Sequence, residues 1–147
     1  MREPALLAAD DPRLRSTGDL SVARATIAGV RLDDPQVDAY RDRILQFVDR
    51  HPDALHRRCL DGHLTGSALV VEAGTGRLLL LFHRKLQRWL QPGGHADGDA
   101  NLAAVALREA TEETGIAGLR IDPVPIDLDV HRVEPPGEAP HDHLDVR

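Results

Sequence analysis

A glycine-rich loop that leads directly into a helix-forming run is the feature that most constrains how this chain can fold. The loop is Gly93-Gly94-His95-Ala96-Asp97-Gly98-Asp99, and the run occupies residues 101–114. Residues 102–107 are strong helix formers with only one β-branched side chain, and Gly115 is the residue type that commonly follows a helix end in the left-handed conformation. We therefore predict one helix from about Asn101 to Thr114, immediately after the loop.

Three glutamates share one face of this predicted helix. Glu109, Glu112 and Glu113 stand at positions i, i+3 and i+4, so their carboxylates project together. They repel one another, and they lie in the last turns, where the helix dipole disfavours negative charge. Arg108, about 100° away around the helix, cannot offset three charges. A divalent cation can, and carboxylate oxygens with open positions for phosphate and water suit Mg²⁺, whereas a lone Glu-Glu pair would indicate a solvated helix end.

The loop and the helix together resemble the signature of the Nudix hydrolases, G-x5-E-x7-R-E-U-x-E-E-x-G-U, in which U is a bulky aliphatic residue. Counted from the first glycine, the fixed positions fall on Gly94, Ala100, Arg108, Glu109, Glu112, Glu113 and Gly115. Only Ala100 departs, because the family has Glu there, and that Glu mainly pairs with the signature Arg. Either Asp99, one residue earlier, takes over as the partner of Arg108, or Arg108 loses its anchor and metal affinity or rate falls.

The resemblance extends to segments at residues 62–65, 89–95, 127–131 and 143–147, and so covers about residues 62–147. These segments are similar to a bacterial branch of MutT-like Nudix proteins with a Trp-Leu-Gln-Pro-Gly-Gly-His loop. The resemblance implies an α/β fold, a Nudix-like α/β/α sandwich with a mixed β-sheet. We expect residues 34–147 to form this single domain after an N-terminal extension of residues 1–33. Family members usually continue through a further strand and a C-terminal helix, so we expect either a truncated chain or a homodimer that completes the sheet.

The activity that the resemblance implies is metal-dependent pyrophosphohydrolysis. Water attacks a phosphorus of a nucleoside diphosphate joined to another group, and Mg²⁺, with Mn²⁺ as the alternative, neutralises the developing charge. The implied metal ligands are Glu109, Glu112, Glu113 and the carbonyl of Gly94; Glu109 is the first candidate for general base, and Arg108 completes the catalytic group. Candidate substrate-binding residues are Arg84, Lys85, Arg88 and His95. The alternative is a nucleotide-binding or sensor domain without catalysis, and a structural dimerisation module is a third hypothesis.

Histidines raise the question of a second metal site. His141 and His143, at i and i+2 on a strand, would face the same way, and His63, His95 and His131 occur in the matched segments. A zinc site needs three or four of them to converge. Because no metal-binding helix motif and no cysteine pair supports such a site, we expect surface or hydrogen-bonded histidines instead.

The rest of the chain predicts one more helix and four strands. Asp34-Pro35 and apolar residues at helical spacing predict an amphipathic helix that ends near His51-Pro52. Residues 64–72 and 77–83 predict a hairpin around Gly74-Thr75-Gly76, and the four consecutive leucines at 78–81 predict burial on both faces. Residues 125–133 and 141–147 predict two further strands, and we expect Trp89 in the core rather than stacked on a base.

Charge and composition limit the partners. The net charge of −6 and the pI near 5.7 argue against a nucleic-acid surface, which needs a basic patch. A small nucleotide diphosphate carried by a metal ion remains compatible. The single cysteine cannot form an internal disulfide, and the sequence has no secretory signal and no apolar run of membrane-spanning length. We therefore expect a cytoplasmic protein without a membrane partner.

Overall fold

The computed structural model describes residues 2–147, which contain three α-helices and eight strands. The helices are α1 (Leu20–Ala28), α2 (Pro35–Arg50) and α3 (Leu102–Thr114), and a short 3-10 helix at Pro12–Leu14 precedes them. The strands are β1 (Gly62–Ser67), β2 (Val70–Val71), β3 (Leu78–Leu79), β4 (Leu81–His83), β5 (Arg88–Leu90), β6 (Gly93–His95), β7 (Leu128–Val133) and β8 (His141–Val146).

Four of the strands form the central sheet, in the order β6-β1-β8-β7. Strand β1 runs parallel to β8, whereas the β1–β6 and β7–β8 pairs are antiparallel, so the sheet is mixed. A mixed sheet with three helices is consistent with an α/β/α sandwich of the Nudix type, and the predicted fold class is confirmed. Strand β8 lies inside the sheet between β1 and β7, so it offers no unpaired edge of its own.

The two faces of the sheet differ in polarity. On one face, Leu64, Val130 and Leu144 belong to a core cluster that includes residues of all three helices, among them Ile44 and Val105. Because successive side chains of a strand point to opposite faces, the alternate residues lie on the other side of the same strands. These alternate residues are polar: they include His63 and Thr65 of β1, His143 and Asp145 of β8, and His131 of β7.

Helix α2 follows the sequence prediction. The Asp34 carboxylate accepts a hydrogen bond from the backbone N–H of Gln36 at 2.8 Å, and the helix ends where the N–H of His51 donates to the carbonyl of Phe47. Helix α1 was not predicted, because glycines at its borders and a mixed apolar pattern hide its period. It is capped by Asp19, and its Ala23 and Ile27 are fully buried in the core. The domain boundary at residue 34 stays a prediction.

The predicted buried hairpin is wrong in two respects. The first strand breaks after Ser67, the second divides into β3 and β4, and the β2–β3 and β4–β5 pairs form two small sheets separate from the central one. Burial on both faces is also wrong, because Leu78 is 56% exposed and Leu80 is 44% exposed. A two-stranded ribbon with no helix packed on it leaves its apolar side chains at the surface. The prediction that Trp89 lies in the core is wrong for the same reason, because Trp89 is 65% exposed and packs beside Phe82.

The C-terminal strands match their predictions closely. Strand β7 begins three residues later than predicted, at Leu128, and β8 covers His141–Val146. None of the helices described within residues 2–147 has the length and apolar character that crossing a membrane requires.

Candidate functional site

Helix α3 is fixed at both ends by its own sequence. The Asn101 side chain accepts a hydrogen bond from the N–H of Ala104 at 3.2 Å and donates to the carbonyls of Arg13 and Arg15 at 2.9 and 3.1 Å. At the other end Gly115 is left-handed, with φ of 69°, and its N–H donates to the carbonyl of Thr111. The predicted bounds of the helix are confirmed, and its glutamate face is thereby held against the glycine loop.

Two of the glutamates lie against the backbone of β6. A Cβ atom added to Gly94 would lie 2.5 Å from the Cδ of Glu109, so only glycine leaves room for this carboxylate. The N–H of Gly93 donates to the Oε1 of Glu113 at 3.2 Å. Burial raises the pKa of the Glu109 carboxyl; Arg108 opposes this, and the charges of Glu112 and Glu113 raise the pKa further. The face therefore concentrates negative charge at a partly desolvated point.

Asp99, the residue before Ala100, lies beside Arg108. The Oδ2 of Asp99 lies 3.8 Å from the Nη1 of Arg108, and Glu109 lies 3.9 Å from Nη2, so both are ion-pair distances rather than hydrogen bonds. Asp99 is buried and its Oδ1 accepts from the N–H groups of Thr17 and Asn101. The side chain at position 100 is fully buried in the core. Of the two alternatives for the departure at Ala100, the geometry favours the one in which Asp99 serves Arg108.

The basic side chains predicted to bind phosphate lie on the β4–β5 hairpin, not on helix α3 or in the glycine loop. Arg84 and Lys85 occupy the turn between β4 and β5, and Arg88 begins β5; all three are exposed. Among residues 2–147 their side chains form no ion pair, so their charges are free to meet a ligand. The structure joins none of them to the glutamate face by a hydrogen bond or ion pair, and their role stays a prediction.

Histidines from three neighbouring strands converge on the polar face of the sheet. His95 of β6, His63 of β1 and His143 of β8 place one ring nitrogen each so that all three lie within 4.8 Å of one another. Their ring centroids are 5.0 to 5.1 Å apart. His131 and His141 border the cluster, at 5.5 and 5.3 Å from His143. Convergence follows from the strand register, which sets His63 directly beside His143.

The expectation of surface or hydrogen-bonded histidines is wrong for the centre of this cluster. His63 is 2% exposed, and among the described residues neither of its ring nitrogens has a hydrogen-bond partner; the same holds for the Nε2 of His143. It is right for two bordering residues, since the Nδ1 of His131 pairs with Asp129 and that of His141 with the carbonyl of Ala139. An unpartnered buried polar group lowers the stability of the folded state by about 1–3 kcal/mol, so the unpaired nitrogens at the centre of the cluster are destabilising without a ligand.

Burial and mutual repulsion keep the central imidazoles neutral. Burial and, to a smaller extent, repulsion from the neighbouring histidines together lower the pKa of His63 to about 4 and the pKa of His143 to about 3. Burial likewise lowers the pKa of His95. At neutral pH each ring therefore carries a free lone pair.

Comparison with known proteins places these features in one matched region. Residues 62–144 match the family model described as NUDIX domain, which is more than half of the chain. The match includes the glycine loop, helix α3 with its three glutamates, and His63, His95 and His143. A comparison with curated proteins found no match to the chain.

Proposed function

The chain belongs to the NUDIX domain family, and from this premise we propose that it is a metal-dependent pyrophosphohydrolase of nucleoside diphosphate derivatives. The family resemblance predicted from the glycine loop and its helix is confirmed, and Nudix hydrolases in general act on phosphoric anhydrides. The nucleotide substrate, the ion and the bacterial branch are part of the proposal. A homodimer and a cytoplasmic location likewise stay predictions.

The observation that carries the proposal is the contact between the glutamate face and the glycine loop. Glu109 fills the space that a side chain at position 94 would need, and Glu113 accepts from the N–H of Gly93. Carboxylate oxygens are hard ligands of the kind that Mg²⁺ and Mn²⁺ prefer. Burial is the main cause of the raised pKa of Glu109, and the charges of Glu112 and Glu113 raise it further, so a bound cation would stabilise the ionised carboxylates. The residues present therefore fit a divalent ion held by Glu109, Glu112, Glu113 and the Gly94 carbonyl.

The proposed chemistry is hydrolysis of the anhydride by water. Bound Mg²⁺, or Mn²⁺, would supply Lewis-acid neutralisation of phosphate charge and a more acidic water. Glu109 accepts the proton as the water oxygen bonds to phosphorus and the bridging P–O bond breaks. Arg108, between Asp99 and Glu109, holds the Glu109 carboxylate in place. Arg84, Lys85 and Arg88 contact the outer phosphates through their unpaired charges. His95, in the glycine loop, is the fourth substrate-binding residue that the sequence predicts.

The test is turnover on a panel of diphosphate-containing nucleotides. Nucleoside triphosphates, nucleotide sugars and dinucleotides are each incubated with the protein and Mg²⁺, and released mononucleotide or phosphate is measured. We expect turnover of at least one class. Glu113→Gln should lower kcat by about 100-fold or more, because it removes one ionised ligand with little change of shape. Glu72→Gln is the matched control, since within residues 2–147 the Glu72 side chain pairs only with Thr75 and Arg77, on an exposed hairpin.

A second candidate function is nucleotide binding without hydrolysis. It is favoured by Ala100, which replaces the family Glu. Asp99 does stand beside Arg108, but at 3.8 Å it forms an ion pair without a hydrogen bond, which holds the guanidinium less firmly than a hydrogen-bonded carboxylate would. The same panel separates the two functions. Binding of a nucleotide with no turnover of any member would reject the hydrolase and support the sensor.

A further inference from the structure

We propose that His63, His95 and His143 form a second metal site, for a divalent transition metal ion of which Zn²⁺ is the best match. The three ligand nitrogens come from adjacent strands and already lie within 4.8 Å of one another. The site is separate from the glutamate face, because consecutive residues of β6 point to opposite sides of the sheet and Gly94 faces Glu109. The proposal is independent of whether the protein hydrolyses nucleotides.

The geometry needs only a small closure to hold an ion. Nitrogens bound to tetrahedral zinc at about 2.0–2.1 Å lie about 3.3–3.4 Å from one another, so the widest pair must approach by roughly 1.5 Å. Rotation of the imidazoles about their side-chain torsions provides this, because the outer torsion of histidine is broad. The backbone that carries the rings is fixed, since β1 hydrogen-bonds to both β6 and β8 in a defined register.

Unpartnered nitrogens point to a ligand at this place. Both ring nitrogens of His63 and the Nε2 of His143 are buried, and none has a hydrogen-bond partner among residues 2–147. Buried polar groups in folded proteins are nearly always paired, so an isolated exception indicates an ion or a water that completes the site. A metal ion accepts one lone pair from each ring. Three protein nitrogens also leave the fourth tetrahedral position for water.

The bordering residues support this choice. His131 pairs through Nδ1 with the carboxylate of Asp129 at 2.8 Å, which is the arrangement that orients histidines around bound zinc. Its ring lies 5.5 Å from that of His143, so it borders the three proposed ligands. His141 is held in a comparable way by the carbonyl of Ala139.

Ligand chemistry separates the two metal sites. Imidazole nitrogens favour Zn²⁺ and its neighbours in the first transition row, whereas Mg²⁺ prefers oxygen and keeps much of its water. A magnesium-saturated protein should therefore still take up one zinc ion. The proposal also gives His95 a metal-binding role in place of the substrate contact predicted from the sequence.

The experiment measures zinc and cobalt binding to the full chain after removal of metals with a chelator. With Mg²⁺ in millimolar excess, we expect one equivalent of Zn²⁺ by calorimetry, and visible d–d bands of low-coordinate Co²⁺. His143→Gln should weaken zinc binding by roughly 100-fold, as loss of a ligand does. His83→Gln, at an exposed histidine of β4, is the matched control and should bind as the parent does. Glu113→Gln should also keep its zinc.

Several outcomes would overturn the proposal. The parent protein could show no d–d bands with Co²⁺, zinc uptake could be equal in the parent and in His143→Gln, or it could be lost in Glu113→Gln instead. Circular dichroism checks that each variant is folded. If His143→Gln does not fold, His95→Gln takes its place, because His95 lies on the edge strand β6 rather than inside the sheet.

Discussion

Replacing Gly94 by alanine tests the contact on which the proposed active site depends. The added Cβ would lie 2.5 Å from Cδ, 2.6 Å from Oε2 and 2.8 Å from Oε1 of Glu109. Non-bonded heavy atoms are comfortable at about 3.5–4.0 Å, so the carboxylate must move by about 1 Å. Glu109 can move, because the clash is with the far end of a flexible side chain, and Gly94 has no positive φ that alanine would strain.

We therefore expect Gly94→Ala to remove function without removing the fold. A misplacement of about 1 Å in a catalytic group costs on the order of 100-fold in rate. The free energy of unfolding should change by less than about 1 kcal/mol, the range of substitutions that create neither a cavity nor a buried unpaired group. Alanine at the adjacent Gly93 should instead affect the fold. A Cβ at Gly93 would meet the Cα and Cβ of Ser67 in the paired strand, so Gly93→Ala should reduce stability.

A double-mutant cycle with Glu109→Ala assigns the effect to this contact. The assay is kcat with Mg²⁺ on the best nucleotide of the panel, and Mn²⁺ binding followed by electron paramagnetic resonance serves as a readout that needs no turnover. In the Glu109→Ala background, Gly94→Ala should change either quantity by less than about threefold, because the clashing group is gone. The reasoning is refuted if Gly94→Ala keeps its parent kcat, or if the two losses multiply.

Three other predictions concern stability, each measured by urea unfolding. Asp99→Ala leaves two backbone N–H groups without their acceptor and should lower the free energy of unfolding by about 1–3 kcal/mol. The control Asp49→Ala, at an exposed ion pair, should lower it by less than about 1 kcal/mol. Equal losses in the two variants would contradict the role of Asp99 as a buried acceptor. Ala100→Glu puts a carboxylate into the core and should cost at least about 2 kcal/mol, and a neutral effect would show that the family residue still fits. In metal-free protein, the pKa of His63 is lowered from 6.5 to about 4, so the unfolded chain binds more protons between these values. His63 should therefore contribute roughly 3 kcal/mol to the fall in the free energy of unfolding as pH falls from about 6.5 to 4, and His63→Gln should remove this contribution and make the slope less steep.

Local signals made the glutamate helix predictable. Its N-cap, its run of helix formers and its C-terminal glycine all act within one or two turns, and the spacing of the glutamates fixes their common face. The same holds for α2, which begins at Asp34-Pro35. Such features depend on neighbours in sequence, so no knowledge of the distant chain is required.

Non-local pairing explains what the sequence could not reveal. The histidine cluster depends on β1 lying beside β8, whose residues come about eighty positions later, and no local pattern encodes that register. The leucines of 78–81 carry a pattern of burial, but whether a helix covers them is decided elsewhere in the chain. One signal was available: His141 and His143 alternate on a strand, and the other histidines fall in segments of the same family match.

The short strand β6 explains why one sequence run can serve two kinds of ligand. Gly94 must lack a side chain because Glu109 fills the space on its side of the strand, whereas the next residue, His95, projects to the other side toward His63 and His143. Substitutions in β6 should therefore separate the two sites. Gly94→Ala displaces an oxygen ligand and leaves all three imidazoles untouched, so it should weaken Mn²⁺ binding at the glutamate face and leave zinc affinity at its parent value. A parallel loss of both would mean that β6 moves as a unit, and that the glycine acts through the strand rather than through Glu109.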